Sequence, residues 1–200
     1  MPDFFIMPCL TAAAFVLGSV PFGLVIGKVF CGIDPRGAGS GNVGATNVAR
    51  LCGTAWGVLT LACDVLKGLL PVAFSLSFRQ ESGGFVCLIG LAVICGHIFS
   101  IFLGGKGGKG VATTVGVFLA LAPAQLIVAG LACLVTIWRS GFVSAGSIAL
   151  VTLLPVLLLV SGRWSDCLFA LAVSVLVIYT HKGNIQRLMR GEEQSWLKKG

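Results

Sequence analysis

The sequence has little charge of either sign. Only 10% of its 200 residues are Asp, Glu, Lys or Arg, whereas 56% are hydrophobic, and the mean hydropathy is +1.00. An average soluble domain carries about 25% charged residues. This composition argues against a soluble enzyme and predicts an integral membrane protein, because apolar runs of about 20 residues suffice to span a bilayer as helices.

Metal and redox motifs are also missing. The eight cysteines form no CxxC pair and no Cys/His cluster, and most lie in apolar segments, where they are expected to act as small packing residues. We therefore expect no metal and no cofactor. The net charge of +7 is divided among short clusters between apolar runs. That distribution is typical of a chain beside an anionic membrane surface and does not favour nucleic-acid binding.

Apolar segments fill most of the chain, and we interpret residues 1–200 as a single integral membrane domain. The apolar segments are 4–29, 53–78, 84–103, 111–138, 142–161 and 164–180, and the polar ones are 31–50, 104–110 and 181–200. The first apolar segment lacks the basic start and the small-residue cleavage site of a signal peptide. It is therefore interpreted as a retained span.

Basic residues predict how the chain is oriented in the membrane. Most of the 14 Lys and Arg residues lie beside or within the three polar segments or at Arg139. If all of these face the cytoplasm, the stretch 111–138 must cross twice and turn at 122–124. Each half would then have about 13 residues and reach only about 20 Å. The outer face would carry Asp3, Arg79, Glu81, Arg163 and Asp166.

The fold prediction is thus an all-α, polytopic bundle of seven transmembrane helices. Its N-terminus is expected outside and its C-terminus in the cytoplasm. We expect a multi-pass membrane protein with its three polar segments on the cytoplasmic side.

The first polar segment is rich in groups that can bind an anion. Residues 37–50 contain four glycines, two asparagines, a serine, a threonine and Arg50. Glycine lets backbone N–H groups approach an anion closely, and arginine can bind a phosphate through two hydrogen bonds. A flexible connector remains the alternative. The formal dinucleotide pattern Gly39-x-Gly41-x-x-Gly44 is rejected, because no strand precedes it and Asp64 lies inside an apolar segment.

The second polar segment, 104–110, combines Lys106 and Lys109 with five glycines. A helix beginning at Val111 would add a positive N-terminal dipole, which favours an anion. The segment is not a Walker A loop, because neither lysine is followed by Ser or Thr. Simple interfacial anchoring of the two lysines is the alternative interpretation.

The two histidines and one buried charge pair complete the set of candidates. His97 and His181 lie at the ends of apolar segments, where a histidine often only hydrogen-bonds a helix end. Asn184 lies about one turn beyond His181 and would share its helix face. Asp64 and Lys67 lie three residues apart inside an apolar segment, and are expected to face the bundle interior as a pair that braces the loops.

Taken in order, these segments resemble the bacterial acyl-phosphate:glycerol-3-phosphate acyltransferases of phospholipid synthesis. The likeness covers nearly the whole chain. Three long motifs are similar to SGNVGATNVAR at 40–50, KGGKGVAT at 106–113 and HxxNIxRLxxGxE at 181–193. Shorter matches are GSVPFG at 18–23, DxxKG at 64–68 and VSxxS at 143–147. Gly105 departs from the family pattern, in which an aromatic residue is usual.

The resemblance implies an enzyme that transfers an acyl group from acyl phosphate to the 1-hydroxyl of glycerol 3-phosphate. The products would be lysophosphatidic acid and phosphate, and the partners would be the two substrates and the lipid bilayer. The protein would be a multi-pass protein of the cell inner membrane with its active site on the cytoplasmic side. An acyl phosphate is already activated, so we expect direct transfer without an acyl-enzyme. The base is either His181 or the donor's own phosphate.

Particular residues are expected to carry these roles. The expected catalytic residues are His181, Lys106, Lys109 and Asn184. The expected substrate-binding residues are Ser40, Gly41, Asn42, Gly44, Thr46, Asn47, Arg50, His97, Gly107, Gly108, Ser144, Arg187 and Glu193. The first loop is assigned to one phosphate, and the other phosphate is assigned to Arg50, Lys106 or Lys109, Ser144 and Asn184.

Two other functions fit the sequence less well. An acyltransferase that uses acyl-CoA or acyl-carrier protein is expected to carry a His-x4-Asp pair, but Phe102 and Gln186 stand where the aspartate would be. A transporter of a phosphorylated solute would place its polar groups near the bilayer midplane, often at broken helices. Here only Asp64 and Lys67 are predicted to be central.

Overall fold

Helices form all the regular structure in residues 3–77 and 83–196, the parts of the chain that the computed structural model describes. The elements are α1 (Asp3–Ser19), α2 (Phe22–Cys31), α3 (Ala45–Cys52), α4 (Thr54–Leu76), α5 (Gly83–Ile98), a 3-10 turn (Ile101–Leu103), α6 (Val111–Leu121), α7 (Pro123–Ser140), α8 (Val143–Val160), α9 (Trp164–Thr180) and α10 (Lys182–Arg190). The all-α prediction is confirmed. Four charged residues of the predicted topology lie outside the described residues: Arg79, Glu81, Lys198 and Lys199.

The helices group into two units, Met1–Leu121 and Ala122–Gly200. In the first unit, α4 packs against α3, α5 and α6, and α1 packs along α5. In the second unit, α8 packs against both α7 and α9, and α10 contacts the end of α9. Each unit carries its own set of polar side chains.

Five helical stretches in the described residues are long and apolar enough to cross a membrane. They are Ile6–Cys31, Thr54–Leu76, Gly83–Leu103, Pro123–Ser140 and Val143–Val160. Helices α9 and α10 together make a sixth candidate, bent by 59°. Helix α6 has only 11 residues and reaches about 17 Å at 1.5 Å per residue. Seven full spans are therefore not confirmed.

The predicted break near residue 122 is present. Helix α6 ends at Leu121 and α7 begins at Pro123, with Ala122 in a non-helical conformation at φ −147° and ψ 64°. Proline suits the first position of a helix, because it has no N–H to satisfy there. The two halves are unequal, at 11 and 18 residues, whereas the sequence predicted about 13 residues for each.

The first apolar segment, predicted as continuous over 4–29, is interrupted at Val20 and Pro21. Pro21 has no N–H to offer a helix, and the N–H of Leu24 donates to the Pro21 carbonyl at 3.0 Å. The carbonyl of Val20 is therefore left outside the hydrogen-bond ladder of α2. This carbonyl accepts the N–H of Phe22 at 3.1 Å and the ammonium of Lys67 at 2.9 Å.

Glycines allow two pairs of helices in the first unit to approach closely. At each of four positions, an added Cβ would overlap a backbone carbonyl of the partner helix. These positions are Gly18 and Gly96 between α1 and α5, and Gly68 and Gly116 between α4 and α6. Small residues at helix contacts are a usual means of close packing in membranes, because they let the two backbones touch.

We expect Gly116→Ala to destabilise the protein, because its methyl group would overlap the carbonyl oxygen of Val65 on α4. Overpacking of this kind costs about 1–3 kcal/mol. The matched control is Gly130→Ala in α7, where a Cβ would meet nothing within 4 Å. Alanine there should be neutral or stabilising by up to about 1 kcal/mol. Thermal unfolding in detergent measures both, and equal midpoints for the two variants would contradict the close-packing account.

Candidate active site

The first polar loop folds around one buried amide, the side chain of Asn47, which is only 2% exposed. Its nitrogen donates to three loop carbonyls, and its oxygen accepts from one loop N–H. The partners, at 2.8–3.1 Å, are the carbonyls of Pro35, Ala38 and Asn42 and the N–H of Ser40. Because the donors of this amide are all used, Asn47 shapes the loop. The expectation that it contacts a substrate has no support in this geometry.

The glycines of this loop are also engaged within it. Gly39 has φ +60°, and a Cβ there would overlap the amide oxygen of Asn47. The N–H of Gly41 donates to the Ala38 carbonyl at 3.0 Å, and the N–H of Gly44 donates to Asn42 Oδ1 at 2.8 Å. These N–H groups, which the sequence predicted would face an anion, have partners inside the loop.

Side chains therefore supply the polar groups that this loop presents. Ser40 is exposed, whereas Asn42, Thr46 and Arg50 are partly exposed, with Arg50 in the last turn of α3. The other arginine of the segment, Arg36, is bound to Asp34 at 2.6 Å. This guanidinium holds the pKa of Asp34 well below its usual range. The Asp34 carboxylate would therefore compete with a phosphate for the Arg36 guanidinium.

The second polar loop, 104–110, folds back onto the C-terminal end of α5. The N–H of Gly107 donates to the Ile98 carbonyl at 2.9 Å, and the N–H of Gly108 donates to the His97 carbonyl at 3.0 Å. Helix ends have carbonyls without helical partners, and the loop satisfies two of them. The predicted role of these two N–H groups as substrate ligands is therefore not seen in this conformation. The side chain of Lys106 is exposed, and that of Lys109 is partly exposed.

His97, predicted to contact a substrate, is instead 6% exposed and held inside the first unit. Its Nδ1 lies 3.6 Å from Asp64 Oδ1, and a Cβ on Gly108 would overlap its Nε2. The same carboxylate oxygen of Asp64 lies 2.8 Å from Lys67 Nζ. The predicted pairing of Asp64 and Lys67 in the bundle interior is confirmed, and His97 joins that pair.

In the second unit, the carboxylate of Glu193 gathers three of the predicted residues. Ser144 Oγ donates to Oε1 at 2.7 Å, Asn184 Nδ2 donates to Oε1 at 2.5 Å, and Arg187 Nε donates to Oε2 at 2.7 Å. The side chain of Glu193 is only 7% exposed. Burial opposes its ionisation, but the hydrogen bonds from Ser144, Asn184 and Arg187 outweigh burial and lower the pKa of Glu193.

Two left-handed glycines bring the members of this cluster together. Gly141, at φ 77°, ends α7 and allows α8 to begin just before Ser144. Gly191, at φ 70°, ends α10 and turns the chain back toward Ser144. The return is fixed where the N–H of Trp196 donates to the Gly141 carbonyl at 2.7 Å. The last described residues are therefore part of the cluster's framework.

His181 lies at the bend between α9 and α10 and is 2% exposed. Its Nδ1 lies 2.8 Å from the Val177 carbonyl. A carbonyl can only accept, so Nδ1 must carry the hydrogen of this bond. In the neutral ring, Nε2 is then the basic nitrogen, which is the tautomer that a general base requires.

Sequence reasoning missed two parts of the first unit. Ser100 donates to the Ser19 carbonyl at 2.5 Å, and the Val20 carbonyl binds Lys67. Both acceptor carbonyls lie at the end of α1, where the helix supplies no α-helical N–H partner for them. The signal that could have revealed them is Pro21, since a proline inside an apolar run frees carbonyls on its N-terminal side.

Comparison with known proteins agrees with this architecture. Residues 8–191 match the family model described as glycerol-3-phosphate acyltransferase. A protein of that name from Nitratidesulfovibrio vulgaris is 60% identical over 94% of this chain and 57% of its own length. Another from Desulfovibrio desulfuricans is 57% identical over 94% of this chain and 83% of its own. A third, from Lawsonia intracellularis, is 49% identical over 92% of both chains.

Two solved structures are similar in fold. Both are crystal structures of PlsY (YgiH), described as an integral membrane glycerol 3-phosphate acyltransferase, at 39% identity over 94% of each chain. The glycerol 3-phosphate form gives a TM-score of 0.90, and the lysophosphatidic acid form gives 0.88. The molecule is thus an integral membrane acyltransferase. The chain belongs to the glycerol-3-phosphate acyltransferase family of phospholipid synthesis, which sets the transporter alternative aside.

The Glu193 cluster predicts a stability that depends on pH. A carboxyl whose pKa is lowered by folding stabilises the folded state above its unfolded pKa, and this contribution is lost as the pH falls through the folded pKa. The midpoint of thermal unfolding should therefore drop as the pH is lowered below 4.5, the ordinary value for this carboxyl.

Glu193→Gln should lower the midpoint at neutral pH and flatten its decline in acid, because the variant has no charge to lose there. Glu192→Gln is the matched control, since Glu192 is the exposed neighbour and should behave like the unaltered protein. Identical acid profiles for all three proteins would exclude the cluster as a source of stability.

Proposed function

We propose that this chain transfers a fatty acyl group from acyl phosphate to the 1-hydroxyl of glycerol 3-phosphate, and releases lysophosphatidic acid and phosphate. The observation that carries the proposal is the fixed tautomer of His181, whose Nδ1 is bound to the Val177 carbonyl. This bond leaves Nε2 as the basic nitrogen of the ring, in a residue close in sequence to Asn184. The family to which the chain belongs is named for the proposed acceptor, glycerol 3-phosphate. Relatives named for that acceptor and a glycerol 3-phosphate form of PlsY support the choice of acceptor.

Phosphate binding is assigned to side chains, because the N–H groups of Gly41, Gly44, Gly107 and Gly108 have partners within the protein. In the first unit the proposed ligands are Ser40, Asn42, Thr46, Arg50, Lys106 and Lys109. The guanidinium of Arg50 can bind two phosphate oxygens at once, and an ammonium group acts as a point charge. In the second unit, Ser144, Asn184 and Arg187 already align their donors toward one anionic group, Glu193.

The reaction is proposed to proceed in one displacement. The hydroxyl oxygen of glycerol 3-phosphate attacks the acyl carbonyl carbon and forms the ester bond. The bond from that carbon to the bridging oxygen breaks, and phosphate leaves with the electron pair. The hydroxyl proton passes to His181 Nε2 or to the departing phosphate, and positively charged side chains offset the negative charge that develops.

A covalent acyl-enzyme is not needed, since phosphate is already a good leaving group. The cysteines nearest the first loop are Cys31 and Cys52, at the ends of α2 and α3. Burial, with a contribution from the neighbouring Cys31 thiol, raises the pKa of Cys52 to about 11. Such a thiol remains protonated at neutral pH and is a poor nucleophile.

The decisive experiment supplies labelled glycerol 3-phosphate to the purified protein with acyl phosphate, acyl-CoA or acyl-carrier protein in separate reactions. We expect labelled lysophosphatidic acid with acyl phosphate alone. In a second reaction, labelled acyl phosphate is given without acceptor and the denatured protein is assayed for label. Product formed from acyl-CoA would change the donor, and stoichiometric acyl-protein that glycerol 3-phosphate discharges would rule out direct transfer.

We further propose seven membrane crossings, an outer N-terminus, a cytoplasmic C-terminus and a cytoplasmic active site. The basic residues of the polar loops support this orientation. In a cysteine-free background, Lys106→Cys should react with an impermeant maleimide only after cells are permeabilised, whereas Ser165→Cys should react on intact cells. Both positions are exposed. Labelling of Lys106→Cys on intact cells would reverse the orientation.

A further inference from the structure

We propose that Asp64 and Lys67 are positioning residues that hold the second polar loop, 104–110, through His97. They act on the proposed reaction by fixing the backbone that carries Lys106, and they do not touch substrate themselves. This inference rests on the proposed function only in its assignment of Lys106 to phosphate. The physical coupling between the buried pair and the loop is independent of it.

The first step of the coupling is the anchoring of Lys67. Its side chain is almost fully buried within α4, yet its ammonium is well satisfied. Nζ donates to the Val20 carbonyl at 2.9 Å, lies 2.8 Å from Asp64 Oδ1 and stands 5.6 Å from the centre of the Phe22 ring. Since the Val20 carbonyl is fixed by the break between α1 and α2, the ammonium has one well-defined location.

The second step passes from Asp64 to His97. The oxygen that binds Lys67 is the same Oδ1 that faces His97 Nδ1 at 3.6 Å. One carboxylate oxygen therefore faces an ammonium on one side and an imidazole edge on the other. A separation of 3.6 Å is longer than an ordinary hydrogen bond, so the oxygen acts on the ring edge as a nearby partial negative charge, which an amide oxygen also carries.

The third step passes from His97 to the loop. Its carbonyl accepts the N–H of Gly108 at 3.0 Å, and its ring packs so closely on Gly108 that a Cβ there would overlap Nε2. Next to it, the Ile98 carbonyl accepts the N–H of Gly107. A rotation of the imidazole would therefore displace the backbone that immediately follows Lys106.

The energetics favour an orienting role over simple stabilisation. A buried ion pair adds little net stability compared with apolar residues of similar size, because desolvation offsets the attraction. Apolar residues would fill the same space but would offer no oxygen to face His97 Nδ1. We therefore expect the Asp64–Lys67 pair to affect the position of the second polar loop more than the stability of the protein.

Two charge-neutral double variants separate these roles. Asp64→Leu/Lys67→Met removes both charges and the acceptor that faces His97. Asp64→Asn/Lys67→Met removes the same charges but keeps an amide oxygen as the acceptor. Amide hydrogen exchange of the peptide across 104–110, in detergent and without substrate, reports whether Gly107 and Gly108 stay bound to α5.

We expect the Leu/Met pair of substitutions to speed exchange at Gly107 and Gly108 by about tenfold, and to raise KM for glycerol 3-phosphate by about tenfold with a smaller change in kcat. The Asn/Met pair should lie between the Leu/Met pair and the unaltered protein in both measurements, because it keeps an oxygen facing His97 but loses the Lys67 anchor. Ser75→Ala is the control for loss of a buried polar group in the same helix, since Ser75 Oγ bonds only the Val72 carbonyl. It should change neither measurement.

Unchanged exchange in the Leu/Met protein, or equal acceleration in both double variants, would overturn the proposal. If the Leu/Met protein does not fold, His97→Phe takes its place, because it fills similar space and removes the nitrogen that faces Asp64. It should speed exchange to the same extent, and normal exchange in it would also overturn the proposal. Faster exchange with unaltered KM would leave the coupling standing and remove Lys106 from phosphate binding.

Discussion

The hydrogen bond from Lys67 to the Val20 carbonyl is the interaction on which the first unit depends. A charged side chain inside an apolar helix must find its partners within the protein, because lipid offers none. Lys67 binds the Val20 carbonyl at the break between α1 and α2, and Ser100 donates to the Ser19 carbonyl beside it. The end of α1 is thereby tied to α4 by one contact and to the chain just after α5 by the other.

The same requirement organises the second unit with different groups. A buried carboxylate there needs donors, and Ser144, Asn184 and Arg187 provide them. Because these donors come from the start of α8 and from α10, the cluster and the hydrogen bond from Trp196 to the Gly141 carbonyl together fix the geometry of these helix ends. In both units, polar residues that the sequence predicted as substrate ligands also hold helices and loops in place.

Hydropathy and charge predicted most of the helices, because membrane spans leave a strong local signal. The break at Ala122 was predicted from charge balance, and Pro123 gives it a local cause. The break at Val20 was missed, because Pro21 lies inside a run whose hydropathy alone reads as one span. The presence of the helices was therefore more predictable than the positions at which they are broken.

Candidate site residues were predictable by type but not by role. Composition identified Asn47, Gly107 and Gly108 as polar or permissive positions in donor-rich loops. Their roles depend on tertiary closure, since each group is bound by an acceptor or donor that only the folded loop supplies. His97 illustrates the same limit: its partner Asp64 is 33 residues away in sequence, and no local pattern joins them.

The position of Glu193 also has a consequence for the order in which the protein matures. Ser144 and its acceptor Glu193 are separated by 49 residues. Helices α8 and α9 are therefore synthesised well before this carboxylate. Until that residue emerges from the ribosome, the donors of Ser144 and Asn184 have no carboxylate to meet. Nascent chains that stop short of Glu193 thus contain nearly all of the apolar helices but lack this polar closure.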